Sequence, residues 1–275
     1  MNKAKGCFIT ILIIFILAVS VLLIISLTSI NPLKNGRDML FLGIDEREES
    51  NDFEGRTDTI IIYHMSSWGQ KDSIISIPRD TRVDLGEYGW GKINAAYVYG
   101  GEEMIKKEIY ELTGIDIDRT MIVNFNGFKK IVDILGGVEI TVEEHLHDPL
   151  SGADFDPGTY TMNGDQALSF ARCRATAGAD IDRMNRQQYL LNEIIKQKFN
   201  FSVVTKIPQL IEVLNSESKT DFTIWDFGSI GFVLLFSSKD FNRITIPAEP
   251  GNIDGISYMI ADEDEVKDFL SDYLK

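Results

Sequence analysis

RTMIVNFNGFKKIVDILGGVEITV, residues 119–142, changes its apolar period twice. Arg119 to Phe125 is a short apolar run that reads as a strand. Phe128, Ile131, Val132 and Leu135 then recur at helical spacing, and Gly136-Gly137 ends that helix because glycine accepts the left-handed conformation of a helix terminus. Val138 to Val142 begins the next strand. The same alternation extends upstream. Glu102 to Leu112 carries Met104, Ile105, Ile109 and Leu112 on a helical stripe that stops at Gly114. Asp38 to Gly43, Thr59 to Ser66 and Ser73 to Pro78 read as strands, the last two joined as a hairpin through the turn Ser67 to Asp72. Downstream, helices are expected over Asn163 to Arg172, Asp182 to Phe199, Ile207 to Leu214 and Ile224 to Phe236. A strand follows at Arg243 to Pro247 and a last helix from Ala261, where Asp262 to Glu265 suit the helix dipole. Strands alternating with helices predict an α/β fold of α-β-α layering, a mixed central sheet covered on both sides.

Ahead of this domain, Cys7 to Ile30 holds no charged residue and is long enough to cross a bilayer. Lys3 and Lys5 precede it, which predicts the N-terminus inside and the bulk of the chain outside the cell. A cleaved signal peptide would have a shorter apolar core and an A-x-A-like site. The expected organisation is a cytoplasmic N-terminus (1–6), a signal-anchor helix (7–30), a linker (31–37) and one extracellular domain (38–275). No Pro/Gly/Ser-rich spacer divides that domain. The two cysteines, Cys7 and Cys173, are assigned to different sides of the membrane boundary, so no disulfide is expected. An exported domain without disulfides is compatible with a Gram-positive type of surface.

Four of the 27 basic residues precede position 38 and all 42 acidic residues follow Arg37, so residues 38–275 carry a formal charge of −19. A domain this acidic does not gather arginines to bind nucleic acid broadly. Yet eight of the ten arginines after Arg37 are clustered, around Arg47, Arg56, Arg79-Asp80-Thr81-Arg82, Arg172-Cys173-Arg174 and Arg183 to Arg186. Arginine forks suit oxyanions, above all phosphate. In Asp45-x-Arg47 and Arg56-x-Asp58 an extended backbone puts carboxylate and guanidinium on one face. Such pairs suit a divalent cation with a phosphate; they also suit surface ion pairs. Arg79 follows Pro78, which stops the strand and presents the side chain from a turn. Asp80 and Arg82 serve either that turn or a ligand. Arg183 and Gln187 lie one helical turn apart and can reach one ligand together. His145 and His147 lack zinc spacing and read as solvated, and Cys173 lacks a paired base. No G-x-S-x-G elbow or P-loop is present.

Taken in order, Phe41-Leu42-Gly43-Ile44-Asp45, Gly55-Arg56-Thr57-Asp58-Thr59, Ser76-Ile77-Pro78-Arg79-Asp80-Thr81, Lys92-Ile93-Asn94-Ala95-Ala96-Tyr97, Val123-Asn124-Phe125-Asn126-Gly127-Phe128, Asp133 to Val138, Ala167 to Arg172 and Asp182 to Gln188 resemble the blocks of the LytR-CpsA-Psr family of membrane-anchored phosphotransferases. The resemblance implies a long hydrophobic pocket for a polyprenyl tail with the pyrophosphate at its mouth. It implies transfer of a glycopolymer, such as teichoic acid or capsule, from that carrier to peptidoglycan. It further implies Asp45 and Asp58 as ligands of Mg²⁺, for which Mn²⁺ also has suitable chemistry. Arg56, Arg79, Arg172, Arg174, Arg183 and Gln187 would contact the pyrophosphate, with Arg47 in a secondary place; Arg79, Asp58 and Arg56 would be catalytic. The linker Ala175 to Asp182 is short and lacks the proline and GDFGR-like run common in relatives, so the resemblance places Arg183 less directly than Arg79. Competing functions are a non-catalytic receptor for a polyprenyl-linked glycan and a hydrolase of the lipid pyrophosphate. A transcription regulator is disfavoured by the anchor, the acidic surface and the lack of a helix-turn-helix pattern.

Overall fold

The computed structural model describes residues 37–44, 53, 55–66, 71–176, 178–198, 200–223, 226–228, 230–231 and 241–274. The expected membrane segment 7–30 and its flank 1–6, most of the linker 31–37, and Asp45 and Arg47 lie outside the described residues. Among the described residues no helix is long and apolar enough to cross a membrane.

In chain order the strands are β1 (Arg37–Ile44), β2 (Thr57–Met65), β3 (Ser73–Ser76), β4 (Arg82–Asp84) and β5 (Trp90–Lys92). Helix α1 (Ala96–Thr113), β6 (Arg119–Asn124), α2 (Phe125–Ile134), β7 (Val138–Val142), β8 (Leu146–Asp148), β9 (Ala153–Phe155) and β10 (Gly158–Met162) follow. Further along, the described residues form α3 (Gly164–Arg172), α4 (Ala179–Lys198), α5 (Ile207–Glu217), β11 (Ser218–Thr220), β12 (Asn242–Thr245), β13 (Glu249–Ile253), β14 (Ile256–Ile260) and α6 (Glu263–Ser271).

Among the described residues six strands form the central sheet in the order β11-β6-β1-β2-β3-β12. It is mixed: β1 is antiparallel to β2 and parallel to β6, while β3 is antiparallel to β2 and parallel to β12. Alternation along the strands sends Leu40, Leu42, Ile44, Ile60, Ile62 and Ile75 to one face, where Ile105, Ile109 and Leu112 of α1 and Val266 and Leu270 of α6 cover them. Met39, Ile61, Tyr63, Met65 and Ile74 point to the opposite face and meet Leu191 and Ile195 of α4 and Phe241. Each such side chain contributes about 1.5–3 kcal/mol by leaving water. The α-β-α layering expected from the sequence is thus present.

Among the differences from the sequence-based expectation are these three. Val138–Val142 is a strand, but it pairs with β10 in a separate ribbon and not with the central sheet. Its alternation of buried Val138, Ile140 and Val142 with exposed Glu139 and Thr141 is that of a strand wet on one face, whose dry face joins a satellite core with α2, α3 and α4. Helix α4 starts at Ala179, so Arg183 stands in its second turn and not at its N-terminal amides. Helix α1 begins before Glu102, with Gly100 and Gly101 (φ 63°) breaking it into two pieces.

Candidate active site at the carboxyl edge of the sheet

β1, β3, β6 and β12 all run the same way, so Ile44, Ser76, Asn124 and Thr245 end at one edge of the sheet; the register sets Ile44 beside Asn124 and Ser76 beside Thr245. The antiparallel β2 begins there, with Thr57 opposite Ile44. Open α/β sheets bind ligands outside the carboxyl ends of their strands, and Arg56 and Asp58 at the start of β2 and Arg79 just past β3 lie at this edge.

Thr57 is fully buried, so its neighbours on an extended backbone, Arg56 and Asp58, turn the other way; Arg56 is exposed and Asp58 half-buried. Arg79 sits on a turn closed by Thr81, whose amide and Oγ1 both donate to the Pro78 carbonyl at 2.9 and 2.7 Å. Asn94 N–H donates to the Arg79 carbonyl and Met259 N–H to that of Asp80, bracing the turn from both sides. From this support Arg79 Nη1 donates to Asp58 Oδ1 at 2.6 Å. The two side chains are 18 % and 21 % exposed, so the pair is shielded but reachable from solvent. Asp80 Oδ1 is held by Lys92 Nζ at 2.9 Å, and Arg82 lies over the Trp90 ring at 3.9 Å. Asp80 and Arg82, ambiguous in the sequence, thus both have partners within the turn and the β4-β5 hairpin.

The second arginine group belongs to α3 and α4. Asn163 caps α3 with a reciprocal capping box through Gln166. At the other end of α3, Arg172 lies over Phe125 with its guanidinium carbon 4.6 Å from the ring centroid. Phe125 opens α2 directly after Asn124, which places Arg172 beside the end of β6. Arg174 is exposed, and its backbone N–H donates to Asp148 Oδ2 at 2.9 Å. That bond, outweighing desolvation and joined by others from Leu150 and Ser151, holds the Asp148 carboxyl below its usual range. Arg183 is buried at 3 % exposure, and Gln187 Nε2 donates to the Ala171 carbonyl at 3.4 Å.

Two residues outside the predicted ligand set hold this group in place. Gln188 Nε2 reaches Ser76 Oγ at 2.8 Å, the Ile244 carbonyl at 3.0 Å and Thr245 Oγ1 at 3.3 Å, tying α4 to the ends of β3 and β12. Buried Arg186 donates to the Cys173 carbonyl and Thr176 Oγ1, closing the short connection between α3 and α4. Asp182 completes that connection: a hydrogen bond from Thr176, the Gly178 amide and the charge of Arg186 together hold its carboxyl low despite desolvation. The helical adjacency of Arg186 to Gln187 and Gln188 was visible in the sequence; that the first two turn to the end of α3 and Gln188 to β3 and β12 was not.

Among the described residues no cluster of three or more His, Cys, Asp or Glu is placed to hold a metal. Asp58 offers oxygen, the donor type Mg²⁺ prefers, and Arg79 Nη1 bonds its Oδ1. Its expected partner Asp45 lies outside the described residues, as does Arg47. His145 and His147 are exposed and pair with Asp156 and Asp154. Cys173 is fully buried.

A cleft of about 550 Å³ opens beside Arg172, between the start of α2, the outer face of α3 and the turn joining β8 to β9. Asn124 contributes to its wall, so the cleft adjoins the carboxyl edge of the sheet.

The LytR_cpsA_psr family model matches residues 26–274. The polyisoprenyl-teichoic acid–peptidoglycan teichoic acid transferase TagU of Halalkalibacterium halodurans is 31 % identical over 231 residues, which cover 83 % of this chain and 75 % of that protein. The crystal structure of Bacillus subtilis TagV superposes with a TM-score of 0.73 at 27 % identity, covering 88 % of this chain and 98 % of that one. A structure of the LytR-CPS2A-psr family protein YwtF (TagT) with bound octaprenyl pyrophosphate lipid gives a TM-score of 0.66 at 23 % identity, over 89 % and 92 % of the two chains. At that identity the likeness is one of fold.

Proposed function

The chain belongs to the LytR_cpsA_psr family, and from that premise we propose that it is a membrane-anchored extracellular phosphotransferase that moves a glycopolymer from a polyprenyl-pyrophosphate carrier to peptidoglycan. The observation that carries the reading is the Asp58–Arg79 pair, shielded yet reachable, at the carboxyl edge of a fold that in TagT holds octaprenyl pyrophosphate. The proposed topology has residues 7–30 in the membrane and the domain outside. The polyprenyl tail would lie in a hydrophobic pocket of the domain.

In the proposed reaction a peptidoglycan sugar hydroxyl attacks the sugar-proximal phosphorus. A new P–O bond forms, the anhydride P–O bond to the distal phosphate breaks, and the bonding pair leaves with the lipid monophosphate. The hydroxyl proton passes to water. Arg79, Arg56, Arg172, Arg174, Arg183 and Gln187 are the proposed pyrophosphate contacts, with Arg47 beside them. Asp58 aims the Arg79 fork, so that donors face the phosphoryl oxygens as charge develops; such placed donors are each worth about 10²–10³ in rate. Asp45 and Asp58 would hold Mg²⁺, which neutralises charge on phosphoryl oxygens when bound. Asp80 is not assigned as base, because Lys92 holds its Oδ1.

The test uses the full chain in lipid nanodiscs with a polyprenyl-pyrophosphate-linked oligosaccharide, peptidoglycan oligomers and Mg²⁺, with products followed by mass spectrometry. Transfer by the wild type that disappears on chelation and in Asp58→Ala and Arg79→Ala is the expected result. Tight carrier binding with neither transfer nor phosphate release by the wild type would replace the enzyme by a receptor.

A further inference from the structure

We propose that the cleft beside Arg172 is the binding site for uncharged sugar rings of the acceptor glycan; this rests on the phosphotransfer reading. Its volume, about 550 Å³, lies in the range of small-molecule sites. Its lining selects the ligand class. The charged side chains of the lining balance, Lys129 and Arg172 against Asp154 and Asp165; Lys129 pairs with Asp165 at 3.3 Å and Arg172 lies over Phe125. A phosphate-bearing polymer would gain no net attraction from two cations matched by two carboxylates, and a polyprenyl chain would meet mostly polar groups. A neutral polyol meets neither penalty.

Asn126, Gln166 and Ser169 add amide and hydroxyl groups that both donate and accept, as ring hydroxyls require. Phe125 and Leu168 supply an apolar strip for the C–H face of a sugar. The position supports the acceptor role. Asn124 and Arg172 form the inner wall, and Asn124 sits in register with Ile44 at the sheet edge that also carries Asp58. A sugar seated in the cleft therefore extends toward that edge from the β6 side, while Arg79 stands beyond β3.

Asn126 and Asp154 are exposed and lie outside the proposed pyrophosphate set, so their replacement by alanine leaves the core untouched. The experiment compares wild type, Asn126→Ala, Asp154→Ala and the double variant as full chains in nanodiscs. Binding of an uncharged N-acetylhexosamine tetrasaccharide is measured by calorimetry and saturation-transfer NMR, alongside acceptor KM, donor KM and acceptor-free release of lipid phosphate. We expect the double variant to weaken tetrasaccharide binding and raise acceptor KM, each by roughly tenfold or more, with donor KM and lipid phosphate release unchanged. A rise in donor KM instead would assign the cleft to the donor glycan and overturn the proposal, as would tetrasaccharide binding indifferent to the double substitution. If the wild type transfers nothing but binds the tetrasaccharide through these residues, the phosphotransfer reading fails and the saccharide site stands.

Discussion

Asp226→Ala should destabilise the domain by about 3 kcal/mol. The Asp226 carboxylate is 2 % exposed and joins residues far apart in sequence: Oδ1 takes Arg37 Nη1 at 2.7 Å and Oδ2 takes Arg119 Nε at 3.1 Å. Oδ2 also accepts from Thr223 N at 2.8 Å and Thr223 Oγ1 at 2.6 Å. Arg37 and Arg119 open β1 and β6, so one carboxylate clamps the start of two adjacent parallel strands. Breaking a fully buried ion pair costs about 3–5 kcal/mol. Here the guanidinium sides are 26 % and 37 % exposed and rehydrate, which lowers that part. The Thr223 donors left without an acceptor add about 1–3 kcal/mol.

Urea unfolding of the two proteins should show a lower midpoint for the variant with an unchanged slope. The pH dependence follows from the same site. Burial raises the Asp226 carboxyl, but the Thr223 hydrogen bonds and Arg119 outweigh it and the net shift is downward. A lowered folded value means stability that is fully present above the unfolded value of about 3.9 and is lost as pH falls through the folded one. The gap between wild type and variant should therefore be flat from about pH 7 to 5 and shrink below about pH 4. A loss under about 1 kcal/mol at neutral pH, or a gap that closes above about pH 5, would refute this account.

Gln188→Met keeps the volume but leaves the Ile244 carbonyl and Ser76 without their donor; a loss of about 2 kcal/mol in urea unfolding is expected, with a drop in kcat for transfer as α4 loosens. Gly164→Ala would drive its Cβ into the Lys129 carbonyl where α3 crosses α2, and should lower stability by about 1–3 kcal/mol by calorimetry. Tyr63→Phe removes the 2.6 Å bond to Asp72 Oδ2 and should cost about 1–3 kcal/mol, more at neutral pH than at pH 4, because burial already raises the Asp72 carboxyl and only the charged form needs that donor. Arg79→Lys preserves charge but not the fork held by Asp58, and should reduce kcat for transfer about 10²-fold with little change in folding.

Elements with a strong period were legible. The helix around Phe128 and Val132 announces itself by one dry stripe, and the strands around Leu40 and Ile62 by short apolar runs that the sheet buries on both faces. Pairing was not legible. β3 and β12 are adjacent although Ser73 and Asn242 are far apart in sequence, and no local pattern specifies such a partner. The β13-β14 hairpin does carry a local signal: Asp254-Gly255, with φ of 53° and 81°, is the two-residue turn that right-twisted strands favour. At the site, the arginine clusters could be read as oxyanion ligands. That Asp58 joins Arg79, or that Arg82 turns onto Trp90, depended on strands and a hairpin brought together by the fold.

Both outer strands of the central sheet come late in the chain. β11 begins at Ser218 and β12 at Asn242, whereas the four strands between them are complete by Asn124. A polypeptide emerging from its N-terminus therefore carries β6 and β3 with bare hydrogen-bonding rims until nearly the whole sequence has been made. Unpaired rims invite pairing with another chain. Non-local closure of this kind is also slow. The interval between the appearance of Asn124 and that of Thr245 is thus when a nascent copy is most exposed to aggregation, and when a holding chaperone would have the most to protect.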